Sequence, residues 1–137
     1  MTFDIRHVNY FYANIEDQQG EAYKVLAQMA DLGINLLAFA GVPMGPTRTQ
    51  LTLFPEDSLR LESTAKKIGM VLDGPHHALL VQGDDALGVL ANIHEKLHKA
   101  KVNVFASTGV TDGKGCYGYI LYIRPDDYQR AATALEL

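Results

Sequence analysis

His94-Glu95-Lys96-Leu97-His98 is the sharpest chemical pattern in the sequence. On a helix, two histidines at this spacing share one face and can hold zinc while the glutamate activates water. A zinc hydrolase using His94, Glu95 and His98 is therefore one reading of the chain. A hydrolytic centre also needs a third ligand, and neither His76, His77 nor any acid stands at a recognisable spacing to supply it. The plainer alternative is an exposed helix face beside a buried stripe of Leu90, Ile93 and Leu97. The neighbouring pair His76-His77 precedes a strand and points to opposite sides of it, and His7 has no partner in sequence. Thr111-Asp112-Gly113-Lys114-Gly115 lies between two strand patterns and reads as a hairpin turn, not a phosphate loop. Cys116 reads as a small buried apolar group, and Tyr117, Tyr119 and Tyr122 as sheet packing.

A second constellation occurs twice. Asp17-Gln18-Gln19-Gly20 and Asp84-Asp85-Ala86-Leu87-Gly88 each follow an apolar strand-like run and open a helical pattern. Asn35 follows Gly20 by 15 residues, and Asn103 follows Gly88 by 15. The two copies are 68 residues apart, from Gly20 to Gly88, in a chain of 137. An internal repeat of this kind decides the fold before any single motif does.

The elements that must carry these residues follow from periodicity. Val8–Ile15 alternates as a strand, with Phe11, Ala13 and Ile15 on one face and Tyr10 and Tyr12 on the other. Ala22, Val25, Leu26, Met29 and Leu32 mark an amphipathic helix closed by a left-handed Gly33. Strands at 34–42 and 47–54 flank the loop Pro43-Met44-Gly45-Pro46. Asp57 or Ser58 caps a second helix presenting Leu59, Leu61, Ala65 and Ile68. Met70–Leu72 is expected to be a short strand, and Asp73-Gly74-Pro75 a turn between repeats. The order then restarts: strand at 78–81, helix with Leu90, Ile93, Leu97 and Ala100 buried, strand at 102–110, strand at 116–123, and a last helix from Arg124-Pro125 to about Leu135. Aligning Pro55 with Pro125 makes the second hairpin loop two residues longer. Each repeat thus reads strand-helix-strand-strand-helix, the split β-α-β pattern with helices on one face of an antiparallel sheet. A closing fourth strand is visible only in the first repeat. The expected domains are 1–73 and 74–137.

Composition excludes several classes. Net charge is −4 with twelve dispersed Lys and Arg, which argues against nucleic acid or an anionic membrane as partner. One cysteine rules out an intrachain disulfide framework and points to a reducing cytoplasm. The charged start Met1-Thr2-Phe3-Asp4-Ile5-Arg6-His7 is not a secretory signal, and no apolar run approaches the ~20 residues that span a bilayer.

The repeated Asp17-Gln18-Gln19-Gly20 with Gly33-Ile34-Asn35-Leu36, and Asp85-Ala86-Leu87-Gly88 with Lys101-Val102-Asn103-Val104, resemble the ACT domain family over nearly the whole chain, twice. The resemblance implies an α+β fold of two tandem ferredoxin-like βαββαβ repeats. It also implies a stand-alone, non-catalytic regulatory protein without a cofactor or resident metal. The ligand would be a small molecule, an amino acid above all, where two such units meet. Asp17, Gln18, Gln19 and Gly20 would line one turn, and Asp84, Asp85, Ala86, Leu87 and Gly88 the other, with Asn35 and Asn103 offering amides from the facing unit. A helix start suits a carboxylate, and an aspartate would answer the ammonium. The partners implied are a second copy, as a dimer, and a regulated enzyme; an assembly module that binds nothing small is the rival of another class. The chain departs from the family at Gln19 and Leu87, where many turns carry proline, and at Lys101 in place of a glycine. The second repeat's open sheet edge is expected to pair with Met1 to Ile5 or with another chain. The first turn is the more polar and the better fit for a polar ligand.

Overall fold

The computed structural model describes residues 3–137. Six strands and four helices follow in the order β1 (Phe3–Glu16), α1 (Glu21–Asp31), β2 (Leu36–Pro43), β3 (Arg48–Pro55), α2 (Ser58–Ile68), β4 (Asp73–Asp84), α3 (Val89–Lys99), β5 (Val104–Thr111), β6 (Cys116–Ile123) and α4 (Pro125–Ala134). The chain divides into two compact units: residues 9–76, and residues 77–137 together with 3–8.

In the 9–76 unit the strand order is β2-β3-β1-β4, with the end of β1 and the start of β4 taking part. β1 pairs antiparallel with β3, Glu16 opposite Arg48 and Phe11 opposite Leu53. Alternation puts Phe11, Ala13, Leu51 and Leu53 on one face, where they pack with Met29 of α1 and Leu61 of α2. Both helices therefore cover the same face. The other face carries Tyr10, whose ring lies 5.2 Å from those of Phe54 and His76 and 5.4 Å from that of Tyr12.

The 77–137 unit repeats this plan in the order β5-β6-β4-β1. Leu79, Val81, Tyr117, Tyr119, Leu121 and Ile123 face Ile93 and Leu97 of α3 and Ala131 and Leu135 of α4, with Phe3 and Ile5 against the same core. Residues 3–8 thus supply the fourth strand that the second repeat lacks in sequence order. Met1 and Thr2, also expected at that edge, lie outside the described residues. Tyr128 ties α4 to the sheet: its hydroxyl donates to the Ala78 carbonyl at 3.0 Å. With its only proton used there, it accepts from His7 Nδ1, which fixes that tautomer. Burial pushes the Tyr128 hydroxyl up to about 12.

Several expectations are corrected. Residues 70–72 are not a strand, and Asp73-Gly74-Pro75 is no turn but the start of β4. A Cβ at Gly74 would come within 2.9 Å of the Tyr10 carbonyl oxygen, so close approach to β1 accounts for this glycine. The two hairpin loops are equal, 44–47 and 112–115. The repeat offset stays at 68 through β3 and β6 and drops to 67 at the last helix, because one residue joins β6 to α4, which starts directly on Pro125, where two join β3 to α2. Proline suits that first helical position because its missing N–H has no partner there. Leu59 is 78% exposed, so α2 buries only Leu61 and Ala65, and in α3 Val89 is buried while Leu90 stands at the surface. Cys116 is exposed, not buried. Its amide donates to Asp112 Oδ1 at 3.1 Å, as does that of Lys114 at 2.7 Å. These two bonds, Lys114's first, hold the Asp112 carboxyl below the usual range.

α1 ends in a left-handed Gly33 (φ 73°), as expected, and α3 ends in a left-handed Lys101 (φ 60°). The bonds around them match: Ile34 N to Met29 O and Val102 N to Leu97 O, both 2.9 Å. A side chain at Gly33 would meet the Arg60 guanidinium at 2.7 Å, where Arg60 donates to the Leu32 carbonyl. On α4, which starts 67 residues after α2, the position of Arg60 falls on Asp127. Left-handed backbone still costs an L-residue ~1–2 kcal/mol. We predict that Lys101→Gly raises stability by about 1 kcal/mol in urea denaturation, and that Gly33→Ala lowers it; a destabilised Lys101→Gly would refute the strain at this site.

Candidate functional site

The turns after β1 and β4 have the same backbone. Asp17 N donates to Thr47 O and Asp85 N to Gly115 O, both at 2.8 Å. Glu21 N reaches Gln18 O and Val89 N reaches Ala86 O, both at 3.2 Å. Each turn ends in a left-handed glycine, Gly20 (φ 87°) and Gly88 (φ 82°), at the N-cap of a helix without a side-chain cap. A Cβ would meet nothing within 4 Å at either glycine. Backbone conformation, not crowding, therefore requires them. The uncapped first-turn amides present the positive end of each helix.

A cleft adjoins each turn. In the 9–76 unit, a cleft of about 340 Å³ is lined by Glu16, Asp17, Gln18, Pro46, Thr47 and Arg48. Arg48 stands opposite Glu16 in the β1–β3 pairing, yet no ion pair joins them among the described residues. One cation and two carboxylates are thus left to the solvent. In the 77–137 unit, a cleft of about 260 Å³ is lined by Asp85, Val89, Leu90, Gly109, Val110, Thr111, Tyr117 and Gly118. It is largely apolar. The Tyr117 hydroxyl is buried without a hydrogen-bond partner. Burial first, and the Asp85 carboxylate second, push that hydroxyl upward in pKa.

Of the residues singled out in sequence, Asp17 and Gln18 line the first cleft and Asp85 the second. Gln19, Gly20, Ala86, Leu87 and Gly88 are exposed on the turns, and Asp84 is exposed at the end of β4. Asn35 and Asn103 are placed apart from them. Asn35 lies beyond the far end of α1 from Gly20, and eleven residues of helix put about 16 Å between the ends. Its side-chain amide donates to Glu56 Oε1 at 2.8 Å, and its main-chain carbonyl accepts from the Glu56 backbone N–H at 3.0 Å. Asn103 N donates to Asp127 Oδ2 at 3.4 Å. Sequence reasoning missed Glu16, Thr47 and Arg48, and Tyr117 as a cleft residue. The signal was available: a hairpin return strand starts opposite the end of the strand it pairs with.

The histidine motif lies on α3. His94 Nε2 is 2.6 Å from the Tyr119 hydroxyl, and Glu95 pairs with Lys99 at 2.9 Å. Lys99 holds the Glu95 carboxyl below its usual range, which weakens it as a base. Among the described residues no three His, Cys, Asp or Glu side chains form a group able to hold a metal ion. No helix among them is long and apolar enough to cross a membrane.

No family model and no curated protein matches the chain. Solved structures match it in fold. A protein from Bacteroides thetaiotaomicron has a TM-score of 0.81 at 14% identity, covering 96% of this chain and 88% of its own. The regulatory subunit of aspartate kinase from Thermus thermophilus, in ligand-free form, has a TM-score of 0.63 at 16% identity, covering 98% and 93%. That from Thermus flavus has 0.60 at 19%, covering 98% and 94%. At these identities the likeness is one of fold. The fold is α+β, two tandem ferredoxin-like βαββαβ repeats.

Tyr117 gives the site a measurable signature. A desolvated hydroxyl with no partner costs ~1–3 kcal/mol. Tyr117→Phe is therefore expected to raise the stability of the ligand-free protein by about 1 kcal/mol in thermal or urea unfolding; a loss would mean that the hydroxyl is satisfied in solution.

Proposed function

We propose that this protein is a non-catalytic regulatory protein of ACT type that binds an amino acid at its strand-to-helix turns. The observation that carries the reading is the pairing of each uncapped, glycine-ended turn with a cleft, twice, on the same backbone. In the first cleft, Arg48 suits a carboxylate, while Glu16 and Asp17 suit an ammonium. Structures of like fold include regulatory subunits of aspartate kinase, which supports a regulatory role beside an enzyme partner. A single exposed thiol fits a reducing, cytoplasmic setting. Asn35 and Asn103 would act on a ligand held by the turns of another unit, as the resemblance implies.

The protein also pairs with a second copy on this reading. The edge strands β2 and β5 carry no charged residue over eight positions each, and expose Phe39, Val42, Phe105 and Val110. Such edges template strand addition. Sedimentation equilibrium is expected to give a dimer; a monomer at all micromolar concentrations would sink this part.

A thermal-shift screen against the amino acids tests the ligand. At about 100 times its Kd, a ligand stabilises by roughly 2.7 kcal/mol. At least one amino acid is expected to raise the melting temperature, and less so in Asp17→Asn or Asp85→Asn. No shift from any amino acid would overturn the reading, and full shifts in the double variant would move the site elsewhere.

A further inference from the structure

The two clefts share a backbone and differ in chemistry, and the second carries an unexplained group. Tyr117 is 6% exposed, its hydroxyl has no partner, and alternation along β6 turns it toward the helix-covered face with Tyr119 and Leu121. Val89, the first residue of α3, lies on that face. The hydroxyl is therefore lodged beneath the start of an eleven-residue helix that has no side-chain cap. Native interiors rarely leave such a group unsatisfied unless something else meets it. The rest of the lining supplies one carboxylate, Asp85, no basic side chain, and the apolar groups of Val89, Leu90 and Val110. Gly109 keeps the β5 wall bare. A Cβ there would lie 2.9 Å from the Tyr119 ring.

We propose that the cleft at the start of α3 is selective for an amino acid with a branched apolar side chain: the Tyr117 hydroxyl and the uncapped α3 amides take its carboxylate, Asp85 takes its ammonium, and Val89, Leu90 and Val110 hold the side chain. This rests on the reading of the turns as amino acid sites and adds which amino acids this one admits. Three complementary requirements meet here. The helix start and an O–H donor favour an anion, a carboxylate favours a cation, and the remaining wall favours hydrocarbon. An amine alone would face the positive helix end, and a carboxylic acid alone would face Asp85, so the zwitterion is the matching charge pattern. The 340 Å³ cleft at the start of α1, with Arg48, Glu16 and Thr47, lacks the apolar wall and takes polar side chains.

Amide-resolved NMR titration of the full chain tests this with leucine, asparagine, 3-methylbutan-1-amine and 4-methylpentanoate as probes. Leucine is expected to perturb Val89, Leu90 and Val110. Asparagine and the two leucine analogues lacking one charge are each expected to bind that cleft about tenfold more weakly or worse. Tyr117→Phe, which keeps the ring and the fold, is expected to weaken leucine about tenfold, as loss of a bond to a charged group does. Asp85→Asn is expected to do the same. Leucine shifts confined to Asp17, Thr47 and Arg48 would overturn the proposal and leave amino acid binding standing. Unchanged leucine affinity in Tyr117→Phe, or asparagine binding as tightly as leucine at Val89, would also overturn it. Silence from both clefts toward every amino acid would bring down the functional reading with it.

Discussion

Each unit depends on a closing strand, which in the 77–137 unit comes from the opposite end of the chain. A four-stranded antiparallel sheet with one member missing presents a row of unpaired N–H and C=O groups. In the 77–137 unit, residues 3–8 fill that place, and Phe3 and Ile5 bring apolar surface to its core. In the 9–76 unit the start of β4 does the same. This is why β1 has fourteen residues and β4 twelve, about twice an ordinary strand. Each strand serves one unit as its last member and the other as its first.

The two strand-to-helix turns follow from that arrangement. A strand that enters a unit as its first member must stop at the same level in both units, because the hairpin beside it has the same length. The paired bonds Asp17 N to Thr47 O and Asp85 N to Gly115 O mark that level. The chain then reverses through a left-handed glycine into a helix whose first amides have no side-chain cap. Backbone geometry thus makes two equivalent recesses, and side chains alone distinguish them. Arg48 and Glu16 make one polar, while Val110 and Tyr117 make the other apolar. Lys101 shows the same separation of backbone from side chain: it adopts the conformation of Gly33.

The histidine motif illustrates how packing decides among chemistries. His94-Glu95-x-x-His98 falls on a helix, as zinc binding would need. The helix is rotated so that Ile93 and Leu97 fill the core, which lays His94 against Tyr119 and leaves Glu95 beside Lys99. A stripe of one buried residue per turn, Val89, Ile93 and Leu97, sets that rotation, and the polar residues go where it leaves them.

Elements whose signals are local are legible in the sequence alone. The repeat from Gly20–Asn35 to Gly88–Asn103, the helix stripe at Met29, the Asp57 cap and the left-handed Gly33 all rest on spacing and backbone conformation within a few residues. Tertiary structure decided whatever depended on a distant partner. Asp73-Gly74-Pro75 reads as a turn on its own, and becomes a strand because β1 lies alongside it. Leu59 fits a helical stripe, yet stays exposed because the sheet reaches only Leu61 and Ala65. Arg48 and Tyr117 lie some 30 residues from the turns they adjoin, and only antiparallel pairing of β3 with β1, and of β6 with β4, brings them there. Local conformation is written in neighbouring residues; the lining of a cleft is written in strand register, which a single stretch of sequence does not contain.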